Sequence, residues 1–490
     1  MRPREKLATR VPGLDVILHG GLEACAVYMI EGRPGAGKTV LANHIAYLHA
    51  ANGGRVLYVT LLAETHERMV FNLEQFAFFE AAALTDRFAY VSGFSALEEN
   101  GLTALTDLVR RETRARRATL LVVDGLVAIE ETAETARNFK KFIHEVQVIA
   151  SLLGCTVLLL STSTGENLSP VHTMVDGILE VVQHRFGRRA EREIEVKKLR
   201  GSIYLRGSHP FEINDTGLTV LPRLESQYGD PPSDSPERHR VSTGVATLDE
   251  MLHGGIASAS TTVVFGPSGA GKTVLGLHFL DASTEAEPGL HFGFYETPQQ
   301  LLHKASKLGL DLEAKQKKGV FHTIWQPPTE RVLDILGHRL LSAVRERGVK
   351  RLVVDGLDPF VQATNDGDRI TPFFSALTNQ LRLSGVTALY TFELRQLVGK
   401  EVTIPIQGVS ALTENMILLR FVEHGAELLR LISVVKTRDS ANDSTLRELQ
   451  ITSAGIRLGP PLRSNLRDGP STGTTQRILD RILQGRGPSP

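Results

Sequence analysis

Short apolar runs separated by longer stretches of mixed polarity set the rhythm of this chain. In the first half the runs include 26–30, 56–59, 120–123 and 156–160, and in the second half 261–265, 352–354 and 387–390. They are rich in Val, Leu and Ile and show no strict alternation with polar residues. Each therefore predicts a strand buried on both faces. The segments that follow the first run of each half, 40–45 and 274–279, predict helices. Buried strands alternating with helices predict an α/β protein: two tandem domains, each a mainly parallel, doubly wound sheet.

The pattern is a duplication. Gly32-Arg33-Pro34-Gly35-Ala36-Gly37-Lys38-Thr39 and Gly266-Pro267-Ser268-Gly269-Ala270-Gly271-Lys272-Thr273 both fit G-x-x-x-x-G-K-[ST], at an offset of 234 residues. Leu14-Asp15 and His19-Gly20-Gly21 recur as Leu248-Asp249 and His253-Gly254-Gly255 at the same offset. The runs ending at Asp124 and Asp355 recur at an offset of 231, so small loop changes separate the copies further on. The expected organisation is a first domain over 1–224, a linker over 225–240, a second domain over 241–460 and a tail over 461–490. The linker holds Asp230-Pro231-Pro232-Ser233-Asp234-Ser235-Pro236, too polar and proline-rich for a core. The tail carries a short amphipathic piece near Ile478–Leu483.

Each glycine-rich loop lies between a predicted strand and a predicted helix, the context a phosphate cradle requires. Glycine lets successive N–H groups turn inward where a Cβ would obstruct, and the helix N-terminus favours negative charge. Gly35, Ala36, Gly37, Lys38, Thr39 and Val40, with Gly269, Ala270, Gly271, Lys272, Thr273 and Val274, are the expected nucleotide-binding residues. Lysine neutralises the β and γ phosphates of ATP. Thr39 and Thr273 are expected Mg²⁺ ligands, joined by Asp124 and Asp355 at the ends of apolar strands. Glu64 and Glu296 follow the runs beginning at Val56 and His291, which are expected to neighbour the loop-bearing strands. A carboxylate there either orients the attacking water or caps the next helix.

Composition narrows the alternatives. Lys+Arg and Asp+Glu are both 55, so no global charge points to nucleic acid or an anionic membrane. Cys25 and Cys155 have no metal-ligand or redox spacing and are expected to be two buried thiols. With neither a signal-peptide pattern nor an apolar run of membrane length, a soluble cytoplasmic protein is expected. The basic run Arg110–Arg117 reads as a solvated helix end, His184–Arg189 as a charged hairpin tip, and Trp325, the only tryptophan, as a residue packed at a domain edge.

More selective than the loops are the His-Gly-Gly elements, the Glu-Thr turns and Lys198-Leu199-Arg200-Gly201, followed by His209-Pro210-Phe211-Glu212-Ile213 and Gly217-Leu218. On these motifs the chain resembles the KaiC-like ATPases of the RecA-like P-loop superfamily, from about residue 6 to about residue 458. The resemblance implies a homo-hexameric ring with ATP between subunits. It further implies that Lys198 and Arg200, with Lys436 and Arg438 in the second copy, reach the γ-phosphate of the neighbouring subunit. Family members carry two consecutive glutamates at the turn, where this chain has Ala63-Glu64 and Tyr295-Glu296. They also phosphorylate an adjacent Ser-Thr pair, where this chain has Ser410-Ala411. A two-site phosphorylation cycle cannot run on that pair, which leaves Ser410 as the candidate phosphosite. The expectation is a slow ATPase of the signalling kind, read by regulatory protein partners and outside the clock itself, with serine autokinase activity in the second domain. A RecA-like DNA-dependent ATPase and a nucleotide-stabilised scaffold are the alternatives.

Overall fold

The computed structural model describes residues 5–61, 66–80, 87–162, 170–186, 189–227, 238–329, 332–394, 413–424, 427–438 and 442–462. Most of the expected linker and tail lies outside them. The chain divides into two compact units, Met1–Gln227 and Tyr228–Pro490.

In the first unit β1 (Lys6–Leu7) and β2 (Leu22–Glu23) form a small antiparallel ladder. The large sheet is built from β3 (Val27–Gly32), β4 (Val56–Thr60), β5 (Phe88–Ser92), β6 (Leu120–Asp124), β7 (Thr156–Thr162), β8 (Gly177–Phe186), β9 (Arg189–Leu199), β10 (Ser208–Asn214) and β11 (Gly217–Val220). Its order is β11-β10-β9-β8-β3-β7-β6-β4-β5. The pairings from β8 to β5 are parallel, while β8 to β11 run as an antiparallel meander.

The second unit repeats this plan. It has a small ladder of β12 (Arg240–Val241) and β13 (Ile256–Ala257), then β14 (Thr261–Gly266), β15 (Gly289–Gly293), β16 (Phe321–Trp325), β17 (Arg351–Asp355), β18 (Thr387–Glu393), β19 (Asn415–His424), β20 (Glu427–Lys436), β21 (Arg447–Thr452) and β22 (Gly455–Pro461). The order is β16-β15-β17-β18-β14-β19-β20-β21-β22. Two tandem, mainly parallel α/β domains are therefore observed.

The unalternating apolar runs follow from burial on both faces. Successive residues of a strand point to opposite sides, so Tyr28 and Ile30 enter one hydrophobic cluster while Val27 and Met29 enter another. Helices cover both sides, including Lys38–Ala51 on one and Ala136–Leu153 on the other.

The His-Gly-Gly elements shape the small ladders. Gly20 and Gly21 have φ of 107° and 122°, and Gly254 and Gly255 have 105° and 109°. A Cβ on Gly21 would lie 2.3 Å from Leu7 O, and one on Gly255 2.4 Å from Val241 O. Alanine at either position is therefore blocked by backbone as well as by torsion. Asp15 accepts from Thr9 N (2.9 Å) and Thr9 Oγ1 (2.7 Å), and Asp249 accepts from Thr243 N and Oγ1, both at 2.7 Å. The recurrent aspartates thus tie each ladder to the helical turn behind it.

Three surface expectations resolve here. Arg110 pairs with Asp107 and Glu145 on the exposed face of helix Phe94–Arg116. Trp325 ends the edge strand β16 and donates Nε1–H to Phe294 O at 3.0 Å. Of the two cysteines, Cys155 is buried as expected, but Cys25 is exposed. It occupies a left-handed corner, φ 58°, that turns it out of the sheet just before β3.

Candidate nucleotide sites

Each loop leaves the carboxyl end of a fully buried central strand and enters a helix that begins at its lysine. Gly35 and Gly37 have φ of 80° and 111°, and Gly269 and Gly271 have 77° and 107°. Open space surrounds Gly35 and Gly269, so torsion alone demands glycine there. At Gly37 and Gly271 a Cβ would also meet the Cδ1 atoms of Ile213 (2.8 Å) and Ile451 (3.0 Å). Ala36 and Ala270 are buried, while Val40 and Val274 are half-buried at the first helical turn.

The lysines curl over their own loops. Lys38 Nζ donates to Gly32 O (2.7 Å) and Arg33 O (3.0 Å), and Lys272 Nζ to Gly266 O and Pro267 O, both at 2.8 Å. Burial lowers the pKa of Lys38 against the opposing pull of Asp124. It does the same to Lys272 against Glu393, Asp355 and Asp358. An ammonium held by neutral carbonyls beside a ring of loop glycines is a donor set suited to a polyanionic phosphate.

Beside each lysine stands a hydroxyl and a carboxylate. Thr39 Oγ1 donates to Asp124 Oδ2 at 3.2 Å, and Thr273 Oγ1 to Asp355 Oδ2 at 2.9 Å. Both aspartates lie at the ends of their strands, β6 and β17. Oxygen atoms grouped this way fit Mg²⁺, which favours hard oxygen ligands.

Behind the aspartates the copies differ. Tyr58 OH donates to Asp124 Oδ2 at 2.8 Å, and Asn43 Nδ2 reaches Thr39 O (2.8 Å) and Tyr58 OH (3.4 Å). Tyr90 OH completes the chain at Asn43 Oδ1, 2.7 Å away. Burial, then Asp124, pushes the Tyr58 phenol well above its usual range, so it remains a donor. The equivalent strand position is His291, whose Nε2 lies 3.6 Å from Asp355 Oδ2, while Thr391 Oγ1 donates to Oδ1 at 2.7 Å. Burial opposes ionisation of Asp355, but His291, Thr391 and Thr273 outweigh it and hold the carboxyl at about 2.

The strands before the glutamates are not neighbours of the loop strands. β7 and β6 separate β4 from β3, and β18 and β17 separate β15 from β14. The expectation of adjacency fails because the chain crosses over to fill the central positions later, as parallel crossovers allow. Glu64 lies outside the described residues. Glu296 is ion-paired through Oε1 with Lys304, and its buried Oε2 has no hydrogen-bond partner. It does not cap the following helix: Thr297 does, in a reciprocal capping box with Gln300.

The basic residues belong to the other side of the loop strand: Lys198 is on β9 and Lys436 on β20, each two strands from it and inside the sheet. Ile178 faces Lys198 on one side and Met29 on the other, so Lys198 lies level with the middle of β3, and Arg200 bonds back to Asp176 near its start. Lys198 Nζ donates to His172 O (2.7 Å) and Thr173 O (3.2 Å), and one Arg200 guanidinium nitrogen to Thr173 O (2.7 Å). His172 in turn bonds Glu31, the residue before Gly32, at 2.9 Å. Lys436 Nζ donates to Thr413 O at 3.1 Å, level with Val263 through Met416. In both copies a β-bulge immediately precedes the lysine: the register shifts between Ile178 and Leu179, and again between Met416 and Ile417. Bulges re-aim side chains, and this one leaves no mark in apolar periodicity. Arg438 follows β20 by two residues. Ser410 lies outside the described residues.

Sequence reasoning missed Tyr58 and His291. A single polar-tipped residue inside each apolar strand was the available signal. Among the described residues no group of three or more His, Cys, Asp or Glu could hold a metal ion, and no helix is long and apolar enough to cross a membrane.

Comparison with known proteins agrees with this geometry. A family model described as "ATPase: KaiC" matches residues 7–225 and again 241–463. The chain is 26% identical to the circadian clock oscillator protein KaiC of Thermostichus vulcanus, over 98% of this chain and 95% of that protein. It is 27% identical to KaiC of a Picosynechococcus species (98% and 96%) and 26% identical to KaiC 1 of a Synechocystis species (98% and 91%). With the family model matched twice along its length, the chain belongs to the KaiC family of P-loop ATPases.

Proposed function

We propose that both repeats bind ATP with Mg²⁺ and that the protein is a slow ATPase whose nucleotide state is read by other proteins. The observation that carries this is the repeated lysine, threonine and aspartate constellation around two intact glycine-rich loops. Gly35 to Val40 and Gly269 to Val274 would hold the phosphates, with Lys38 and Lys272 swinging from their loop carbonyls to phosphate oxygens. Thr39 with Asp124, and Thr273 with Asp355, would hold Mg²⁺. When bound, that ion supplies charge neutralisation at the phosphates.

Lys198, Arg200, Lys436 and Arg438 act in trans on this reading. Lys198 and Lys436 bond backbone carbonyls two strands from their own loop strands, and a homo-oligomeric ring, a hexamer by family resemblance, would bring them to a neighbour's γ-phosphate. Glu64 and Glu296 are the candidate groups for orienting water. The pairing of Glu296 with Lys304 favours slow turnover in the second repeat, and in the limit a nucleotide-stabilised scaffold. Serine autokinase activity at Ser410 is the remaining possibility in that repeat. The alanine beside it argues against a two-site cycle and for a role outside a clock.

The test is incubation of the full chain with Mg²⁺ and γ-labelled ATP, following released phosphate and protein-bound label together, with Lys38→Ala and Lys272→Ala as controls. Phosphate release lost stepwise in the two variants is expected. Retention of nucleotide without release would leave the scaffold, and no nucleotide binding at either site would overturn the reading.

A further inference from the structure

Cys25 and Cys155 are the only cysteines in the chain, and the fold brings them into one neighbourhood. β3 and β7 are parallel neighbours with Val27 beside Val157. Two residues back along both chains, ahead of the two strands, stand Cys25 and Cys155. Val157 N donates to Ala26 O at 3.0 Å, and just before it Cys25 N donates to the side chain of the residue after Cys155, Thr156 Oγ1, at 3.1 Å. A disulfide spans a Cα separation of roughly 4.4–6.8 Å, and Cys25 stands one hydrogen bond from the residue that follows Cys155.

The second repeat builds the same corner without sulfur. Ala259 stands in place of Cys25 with a φ of 52°, and its N donates to Thr387 Oγ1 at 3.1 Å. Ala388 N donates to Ser260 O at 2.9 Å, and Val386 stands in place of Cys155. Backbone geometry therefore does not account for two neighbouring thiols in the first repeat. Their surroundings divide the labour: Cys25 is exposed to a soluble oxidant, whereas Cys155 is buried behind it. Burial, with Cys25 nearby, pushes the Cys155 thiol up to about 12, so the first attack belongs to Cys25.

We propose that Cys25 and Cys155 form a reversible intramolecular disulfide in response to peroxide, a modification site confined to the first repeat. The Cys25 thiolate attacks one peroxide oxygen; an S–O bond forms, the O–O bond breaks, and hydroxide leaves to become water on taking up a proton. Sulfur is oxidised by two electrons to the sulfenic acid as peroxide is reduced. The Cys155 sulfur then attacks Cys25 Sγ; the S–S bond forms, the S–O bond breaks, and the departing hydroxide takes the Cys155 proton. Two thiols and one peroxide give one disulfide and two waters. The bond ties the base of the strand that feeds the first phosphate loop to the strand standing between it and Asp124. This inference does not depend on the ATP reading.

The experiment treats the full chain with a small molar excess of hydrogen peroxide, blocks remaining thiols, and maps the digest by mass spectrometry with and without reduction. The expected result is parallel loss of both thiols, a linked Cys25–Cys155 peptide pair, and recovery of both thiols with dithiothreitol. Cys25→Ala and Cys155→Val install the residues of the second repeat, so folding is retained and is checked by circular dichroism. Cys25→Ala should leave Cys155 reduced, and Cys155→Val should stop Cys25 at the sulfenic or a higher oxidation state. Wild-type protein with Cys25 overoxidised and Cys155 free, with chains joined through Cys25, or with no thiol loss would overturn the proposal.

Discussion

In the first repeat a phenol donates to the aspartate that ends β6; in the second an imidazole stands 3.6 Å from its counterpart at the end of β17. The surrounding backbones match: the same strand order, the same bulge, the same lysine curled over the same two carbonyls. Duplication has kept what a phosphate requires and released what surrounds the carboxylate. Tyr58 fixes Asp124 within a neutral hydrogen-bonded chain through Asn43 to Tyr90. Asp355 instead rests on two threonine hydroxyls with a histidine beside them. The two sites are therefore expected to bind the same ligand with different dependence on pH.

The largest expected effect tests what the repeats share. Lys38→Ala and Lys272→Ala each remove an ammonium able to make two charged hydrogen bonds, worth about 1.5–3 kcal/mol apiece. Nucleotide affinity at the altered site should fall about a hundredfold or more, read by titration with a fluorescent ATP analogue, while the other site is unchanged.

Acid should separate the units next. Burial lowers His44 from 6.5 to about 4, and its Nδ1 accepts from Leu218 N at 3.2 Å. A histidine kept neutral by the fold contributes fully above about 6.5, and that contribution drains away as pH falls toward about 4. The shift amounts to roughly 3 kcal/mol. His278, bonded to Ile456 N at 3.0 Å, is lowered in the same direction, and burial is again the main cause. Urea unfolding at a series of pH values should show the first unit weakening across this window. His44→Asn, which keeps an acceptor but no titration, should flatten the loss.

Tyr58→Phe keeps the ring and deletes the donor to Asp124. A loss of about 2 kcal/mol in the first unit is expected from the unfolding midpoint, with weaker Mg²⁺ dependence of nucleotide binding. His291→Leu should cost less at neutral pH, since 3.6 Å is beyond a hydrogen bond. Its signature lies in acid. A carboxyl held at about 2 stabilises the fold above its ordinary 3.8 and loses that contribution as pH falls toward 2. Without His291 the pH dependence of the second unit over that interval should become shallower.

The smallest expected effect concerns Glu296. Lys304→Ala breaks a partly exposed ion pair worth about 0.2–1 kcal/mol. Single-turnover phosphate release from the second site should rise by up to about fivefold if Glu296 orients water. An unchanged rate would leave Glu296 a surface residue of the turn.

The readable part of this molecule was the part fixed by local chemistry. Gly35, Gly37, Gly269 and Gly271 are dictated by torsion, Lys38 and Lys272 by their place at a helix start, and Asp124 and Asp355 by the strands they end. Unalternating apolar runs were enough for two parallel sheets. Strand order was not legible: nothing in the run 56–60 says that two later strands will stand between it and the phosphate loop. The bulges before Lys198 and Lys436 are a matter of register, set by hydrogen bonds across strands rather than by the residues in them. Cys25 reads as an ordinary small residue before an apolar strand, and only its left-handed torsion brings it to the surface.

The placement of each basic pair two strands from the phosphate loop has an arithmetic consequence. On the proposed reading, in which Lys198 and Arg200 serve a neighbour's phosphate loop, each subunit carries one socket and one plug, and copies add head to tail in a heterologous fashion. An open row of any length then always ends with one socket unplugged and one plug unused. Closure into a circle removes that defect, and dilution should lower activity per chain by opening circles before it separates every pair.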